Sequence, residues 1–281
     1  MQALISDIHA NIEALDAVLR DIESRGVEEI LCLGDSVGYG PDPEACLDVI
    51  MARARVTLLG NHDHALVCGG ESEFTSVAAE MISRTRETML GHITGGHACP
   101  ADSQDMPCLR DGRCPSCLTL RHEPTARWRF VADLPECHTE GDVLYVHASP
   151  LDPIFEYVFP DHFGRAWRPA RVAQIMEAVP WVAFGGHTHV PCAITAQLAC
   201  IYPQPDAPAI RLARDTKYLV NLGSVGQPRD GDPRACYVLF DAREGSIEWR
   251  RVPYDIGVTS RRIEAMCGRG NWCARRLWLG H

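Results

Sequence analysis

The chain has 281 residues and a formal net charge of −10. An acidic surface on average repels a nucleic-acid backbone, so nucleic acid is an unlikely partner unless a basic groove is concentrated locally. No apolar run approaches the roughly 20 residues of a membrane-spanning helix. The opening Met1-Gln2-Ala3-Leu4-Ile5-Ser6-Asp7 lacks the basic and long apolar regions of a signal peptide, which makes a cytoplasmic location the expectation. The 13 cysteines are an odd number and cannot all pair, and Cys32 and Cys236 sit inside apolar runs, reading as small buried hydrophobes rather than as part of a disulfide framework.

Short apolar runs at Ala3–Ile5, Ile30–Leu33, Val56–Leu59, Val143–Val146, Val182–Phe184, Tyr218–Val220 and Tyr237–Phe240 have the length and composition of buried strands. Between the first two, Ile12, Leu15, Val18, Leu19 and Ile22 recur at helical spacing, with Asn11 placed to cap the helix and Gly26 to end it. This is a β-α-β unit. A second helix is expected to start at Asp42-Pro43, carry Cys46, Leu47 and Ile50 on its apolar stripe, and end near Arg53. From about 91 to 122 the periodicity fails and Gly, Pro, Cys and Asp dominate, as in an irregular insertion. Alternation in Ile247-Glu248-Trp249-Arg250 indicates a half-exposed strand, and with it a second sheet packed on the first. The resulting division is one domain over 1–255, carrying the insertion, and a basic tail over 256–281. The stretch from Arg261 to His281, with Arg261, Arg262, Arg269, Arg275, Arg276, Trp272 and Trp278, reads either as a helical tail on the surface or as a loose terminus.

Five clusters of polar residues stand out, each following an apolar run: Asp7-Ile8-His9, Gly34-Asp35, Gly60-Asn61-His62-Asp63, Val146-His147 and Gly185-Gly186-His187-Thr188-His189. Open α/β sheets bind ligands at the carboxyl ends of their strands, so loops converging there bring Asp7, Asp35, Asn61, His147 and His187 together. Carboxylate, amide and imidazole donors in this mixture suit borderline divalent cations such as Mn, Fe, Ni or Zn rather than calcium. There are enough donors for two ions. In extended backbone, residues two apart point the same way, which would set Asp7 beside His9 and His187 beside His189. Asp35, alone at its strand end, is the natural bridge.

These motifs, in this order, resemble the calcineurin-like metallophosphoesterase superfamily. The resemblance spans nearly the whole chain and extends to Asp35-Ser36-Val37-Gly38-Tyr39-Gly40-Pro41 and to Asn221-Leu222-Gly223-Ser224-Val225-Gly226-Gln227-Pro228-Arg229-Asp230. Those two segments look like the bacterial branch of small phosphodiesterases and diadenosine-tetraphosphatase-like phosphatases. The resemblance implies a four-layer α/β/β/α sandwich of two mixed sheets flanked by helices. By the same carry-over, Asp7, His9 and His189 bind one ion, Asn61, His147 and His187 bind the other, and Asp35 is shared. His62 is then the catalytic imidazole. The implied reaction is in-line attack of a metal-bound hydroxide on the phosphorus of a small phosphorylated substrate, dinucleotide polyphosphates included, with manganese as a candidate metal. Phosphoprotein or general phosphomonoester hydrolysis is the alternative, and a nuclease or a non-catalytic binding scaffold is further off.

One departure from the family matters. Many phosphoprotein phosphatases follow the bridging Asp with an Asp-Arg pair, where this chain has Gly38 and Tyr39, so the group that orients His62 is left unassigned. Arg229, in a Gly-rich turn after a strand, is the candidate for the absent phosphate-binding Arg, and Tyr39 either contacts substrate or covers the sheet edge. Asn221, Ser224 and Gln227 bind substrate or, more simply, hold a tight turn. His64 is expected to be a solvated loop residue. Cys99, Cys108, Cys114 and Cys117, with His97 close by, would either hold a structural Zn that lets the insertion fold or remain free thiols.

Overall fold

In β1 (Gln2–Ile5), Ala3 and Ile5 face one way and Leu4 the other, and this alternation separates two layers of core. The computed structural model describes residues 1–70, 74–94, 125–161, 165, 167–204 and 209–281, with 90–94 as backbone only. His97, Cys99, Cys108, Cys114 and Cys117 lie outside these residues. The helices are α1 (Ile12–Ser24), α2 (Pro43–Arg53), α3 (Asn61–Cys68), α4 (Ser76–Thr94), α5 (Ala126–Ala132), α6 (Pro169–Ala178), α7 (Ile256–Cys267) and α8 (Trp272–Leu279).

Two six-stranded mixed sheets form the centre. The first runs β3 (Val56–Thr57), β2 (Glu29–Cys32), β1, β11 (Ala235–Asp241), β12 (Ser246–Val252) and β9 (Ile210–Arg211). Its β1, β2 and β3 are parallel, and β11, β12 and β9 add antiparallel. The second runs β4 (Cys137–Glu140), β5 (Val143–Val146), β6 (Val182–Gly185), β10 (Tyr218–Asn221), β7 (Cys192–Thr195) and β8 (Cys200–Ile201). Here β5, β6 and β10 are parallel. Two sheets are present, as expected, but the alternating Ile247–Arg250 stretch belongs to the first of them: it pairs with β11, a hairpin partner supplied by the adjacent segment.

Leu4, Leu31, Val182, Phe184, Val220, Val238 and Phe240 interlock between the sheets. On the outer face of the first sheet, Ile5, Ile30, Tyr237 and Leu239 pack against Leu15, Val18 and Ile22 of α1. On the outer face of the second, Ala183, Leu219 and Ile194 pack against Val172, Ile175 and Met176 of α6. The layers are therefore α/β/β/α, and each fully buried Leu or Ile contributes about 1.5–3 kcal/mol of transfer free energy. A polar tie also joins the sheets, where Gln2 accepts from the Tyr145 hydroxyl at 2.9 Å and donates to Glu140 at 2.9 Å.

Local signals explain the helix ends. Asn11 caps α1 by accepting from the Ala14 N–H at 3.2 Å, and Gly26 follows at φ +66°. Asp42 precedes Pro43 as read, yet its carboxylate makes no cap bond and instead pairs with Arg262. In α7, Thr259 donates to Asn11 and Glu13, and Arg262 pairs with Glu13, which fastens the C-terminal helices beside α1. Cys32 and Cys236 are fully buried, and burial pushes both thiols up to about 12. Among the described residues no helix is long and apolar enough to cross a membrane.

Candidate metal centre

All five motif loops emerge at the same end of the two sheets. Asp7 lies just past β1, Asp35 just past β2 and His187 just past β6, while His147 directly follows β5 and Asn61 opens α3 after β3. Main-chain hydrogen bonds lace these loops together: Asp7 N–H to Gly34 O at 3.0 Å, His9 N–H to Asp35 O at 2.9 Å, and Gly186 N–H to His147 O at 2.8 Å. The later Gly-rich turn joins them through Gly226 N–H to Asp7 O at 2.9 Å and the Ser224 hydroxyl to the same oxygen at 2.8 Å. Asn221 reaches Thr188 and Gly186 O, and the Gln227 N–H donates to Ser224. These three residues hold the turn.

Backbone strain gathers at this end. Of eight non-glycine residues with positive φ among those described, seven line these loops: Asp7, His9, Ala10, Asp35, Tyr39, His187 and His189. Each such conformation costs on the order of 1–3 kcal/mol and persists only where the surroundings enforce it. The extended geometry expected for Asp7-Ile8-His9 is therefore not what pairs these side chains. Left-handed turns do, and His187 and His189 repeat the arrangement. Close approach replaces slack: a Cβ on Gly60 would lie 2.1 Å from Asp35 Oδ1 and 2.2 Å from Asp35 N.

Two groups of donor atoms result. Asp7, His9, Asp35 and His189 each offer an atom within 4.8 Å of the others. His189 Nε2 is 3.2 Å from Asp7 Oδ1 and 3.1 Å from His9 Nε2. Beside them, Asn61 Oδ1, His147 Nε2 and His187 Nδ1 lie 2.9–3.2 Å apart. Asp35 Oδ2 stands 3.6 Å from His9 Nε2 in the first group and 3.6 Å from His147 Nε2 in the second. That atom lies next to both groups.

The outer nitrogen of each imidazole meets a main-chain carbonyl: His9 Nδ1 to Val37 O at 3.1 Å, His147 Nδ1 to Leu33 O at 2.8 Å, His189 Nδ1 to Gln227 O at 2.6 Å and His187 Nε2 to Phe155 O at 3.1 Å. A carbonyl oxygen only accepts, so each outer nitrogen carries the proton and each inner nitrogen presents a bare lone pair. Second partners of this kind fix the tautomer of metal-binding histidines. Inner lone pairs and oxygens about 3 Å apart with no proton between them repel, and a cation among them removes the repulsion. The donors present therefore fit divalent metal ions.

Charge leads to the same conclusion. Burial holds His9 and His187 well below the usual imidazole range, and burial with the charge of Arg229 brings His189 to about 4, so these three rings are neutral. Asp7, fully buried, accepts from the His187 main-chain N–H at 3.1 Å. Asp35 is pushed well up by burial and by the carboxylates of Asp63 and Asp7. Cations at the centre would reverse that penalty.

His62 is only 3% exposed and sits beside this cluster, its ring centroid 4.8 Å from His9, 4.6 Å from Tyr39 and 5.1 Å from Phe74. Its Nδ1 is buried without a hydrogen-bond partner and lies against Gly38, where a Cβ would come within 2.4 Å. Asp63 does not orient this ring. Its carboxylate accepts from the N–H groups of Ser36, Val37 and Gly60 at 3.2–3.3 Å, which fixes the loop after β2 against the start of α3. Aromatic packing holds His62 instead.

Tyr39 is buried between His9, His62 and the last helix. Arg229 carries its Cζ to 5.8 Å from the Tyr39 ring and donates to Gln227 at 3.0 Å, while its Nε is buried without a partner. The seven Asp, Asn and His candidates for metal binding, with His62, Tyr39 and Arg229, therefore converge on one place. Three contributors were not foreseen. Tyr157 stacks on His187 at 3.7 Å between centroids, Phe155 supplies the carbonyl that orients His187, and Phe74 backs His62. The aromatic run Phe155-Glu156-Tyr157 was the available signal. His64 is half-buried with its ring 5.2 Å from Phe155 rather than solvated.

Comparison with known proteins fits this geometry. Residues 3–191 match the calcineurin-like phosphoesterase family, a span that takes in both donor groups. An uncharacterized protein of Methanocaldococcus jannaschii is 34% identical, with 100% of this chain and 98% of that protein covered. The crystal structure of a metallophosphoesterase from Sphaerobacter thermophilus superimposes with a TM-score of 0.73 at 30% identity, covering 100% of this chain and 98% of the other. A hypothetical protein of Pyrococcus horikoshii shares the fold, with a TM-score of 0.70 at 18% identity over 100% of this chain and 99% of its own. The chain belongs to the calcineurin-like phosphoesterase family and is a phosphoester hydrolase.

Proposed function

We propose that the protein hydrolyses a small phosphoester or phosphoanhydride at a pair of divalent cations. The observation that carries this reading is the position of Asp35 Oδ2, equidistant at 3.6 Å from one imidazole nitrogen of each donor group. Asp7, His9 and His189 hold one ion, Asn61, His147 and His187 hold the other, and Asp35 serves both. Ions of this kind supply Lewis acidity toward phosphoryl oxygens and lower the pKa of a coordinated water toward neutrality. With nitrogen and oxygen donors and no thiolate, Mn, Fe, Ni and Zn all suit the site.

The protein's own groups do the rest. His62, wedged between His9, Tyr39 and Phe74, is neutral because burial and the charge of Arg229 depress it well below the usual range. A neutral imidazole donates a hydrogen bond to a phosphoryl oxygen or passes its proton to the leaving oxygen. Arg229 holds the phosphate through a guanidinium fork that matches phosphate geometry. Tyr157, half exposed at the rim and stacked on His187, gives the non-reacting part of the substrate an apolar face.

The test is a hydrolysis panel with added Mn, comparing p-nitrophenyl phosphate, its bis-ester, diadenosine tetraphosphate and a phosphopeptide. Mn-dependent turnover of at least one small substrate, abolished in Asp35→Asn, is expected. Turnover that survives Asp35→Asn, or no hydrolysis of any substrate with Mn, contradicts the proposal.

A further inference from the structure

The second donor group is braced from outside by a segment that carries none of its ligands. Phe155, Glu156 and Tyr157 lie between β5 and α6 and belong to no strand or helix. They nevertheless touch the chain beside each of the three ligands. The Phe155 carbonyl accepts from His187 Nε2 at 3.1 Å, and the Tyr157 ring stacks on His187 at 3.7 Å. The Phe155 ring meets that of His64, three residues along α3 from Asn61, at 5.2 Å. Ser149, two residues past His147, donates its hydroxyl to the Glu156 carboxylate at 2.5 Å. In the first group the corresponding carbonyls come from elsewhere, Val37 for His9 and Gln227 for His189.

A segment outside regular structure needs side chains to fix its carbonyls, and Glu156 supplies the anchor. Burial alternates along it: Ile154 and Val158 are buried, whereas Phe155 and Tyr157 are exposed. Val158 packs with Val172, Ile175 and Met176 of α6. The Glu156 carboxylate is gripped from the same helix by the Arg171 fork, Nε to Oε1 at 2.6 Å and Nη2 to Oε2 at 3.1 Å. Such a paired contact fixes direction as well as distance. Oε2 also takes the Ser149 hydroxyl, whose oxygen accepts in turn from the main-chain N–H groups of Leu151 and Asp152 at 3.3 and 3.1 Å. One carboxylate thus ties α6 and the loop after His147 to the two residues that hold His187.

We infer that Glu156 is a positioning residue for one of the two cations, the one among Asn61, His147 and His187, and that it acts through Phe155 and Tyr157. This rests on the two-cation reading proposed above. With the clasp removed, the Phe155 carbonyl and the Tyr157 ring lose their anchor, and the His187 ring is no longer held in one tautomer and one orientation. The ion among Asp7, His9 and His189 keeps its own supporting carbonyls and is spared. Removing an outer partner of a metal-binding histidine costs about 10- to 100-fold in metal affinity.

Titration of the metal-stripped full-length protein with Mn, with free Mn read by electron paramagnetic resonance, tests the inference. The wild-type protein is expected to bind a pair of Mn ions. Glu156→Ala should keep one at its wild-type affinity and weaken the other at least tenfold. Glu156→Gln, which still accepts from Ser149, should restore part of the loss, and Arg171→Ala should weaken the same ion. Glu177→Ala, an exposed change on the same helix as Arg171, should alter neither. In Glu156→Ala crystals at limiting Mn, the anomalous peak that fades should be the one among Asn61, His147 and His187. Wild-type affinity for both ions in Glu156→Ala, equal weakening of both, or fading of the other peak overturns the proposal. Failure of the two-cation reading looks different: the wild type itself takes up a single Mn or none, and the proposal falls with it.

Discussion

Replacing Gly60 by alanine probes how the fold sets the position of Asp35. The added methyl would sit 2.1 Å from Asp35 Oδ1 and 2.2 Å from Asp35 N, so neither a rotamer change nor a backbone adjustment alone relieves it. Gly60 itself has φ −89° and ψ 170°, which alanine adopts freely, so the effect is steric. Reaching ordinary contact separates the two loops by roughly an ångström, and overpacking of this kind costs about 1–3 kcal/mol. The same shift would pull Oδ1 from the His62 N–H that it accepts at 2.8 Å and move Oδ2 away from both donor groups. A misplacement of about 1 Å at a reacting centre costs on the order of 10²-fold in rate, about 2.7 kcal/mol in activation free energy. Gly60→Ala is therefore expected to remain folded by circular dichroism, lose metal by elemental analysis, and drop about 10²-fold in Mn-dependent kcat/KM. Wild-type metal content together with wild-type kinetics would refute the idea that this contact places the shared carboxylate.

His62→Asn should lower kcat by about 10²- to 10⁴-fold with metal content unchanged, and Gly38→Ala, whose Cβ would lie 2.4 Å from His62 Nδ1, should lower kcat by displacing the same ring. Full activity in either, or metal loss in His62→Asn, contradicts the assignment. Asp63→Asn leaves the N–H groups of Ser36, Val37 and Gly60 poorly matched, and urea unfolding should show a loss of about 1–3 kcal/mol. At Glu140, burial would raise the carboxyl, but hydrogen bonds from Arg55, Gln2 and His138 bring it down to about 2. Its folded value is below the unfolded one, so its stabilisation is complete above about pH 4.5 and disappears as pH falls toward 2. Glu140→Gln should therefore remove about 1 kcal/mol from the stability difference between pH 5 and pH 2, after allowing for solvent screening, and an unchanged acid limb of the unfolding curve would count against it.

Strand ends were legible because apolar runs stop abruptly at Asp, Asn or His, and the order of those stops carries the family. Sheet membership was less so. Periodicity reports which face of a strand is buried but not its neighbour, and Ser246–Val252 joins the first sheet through β11. Spacing in sequence also misled at Asp7 and His9, whose pairing depends on left-handed φ values that the residue types do not announce. Asp63 adjoins His62 in sequence, yet successive helical residues point about 100° apart, so its carboxylate serves the loop after β2 instead.

The central claim is that two neighbouring donor groups share Asp35, and anomalous diffraction from Mn-loaded crystals tests it directly. Two peaks are expected, one among Asp7, His9 and His189 and one among Asn61, His147 and His187, with Asp35 Oδ2 contacting both. A single peak, or two peaks with Asp35 touching only one, would contradict it.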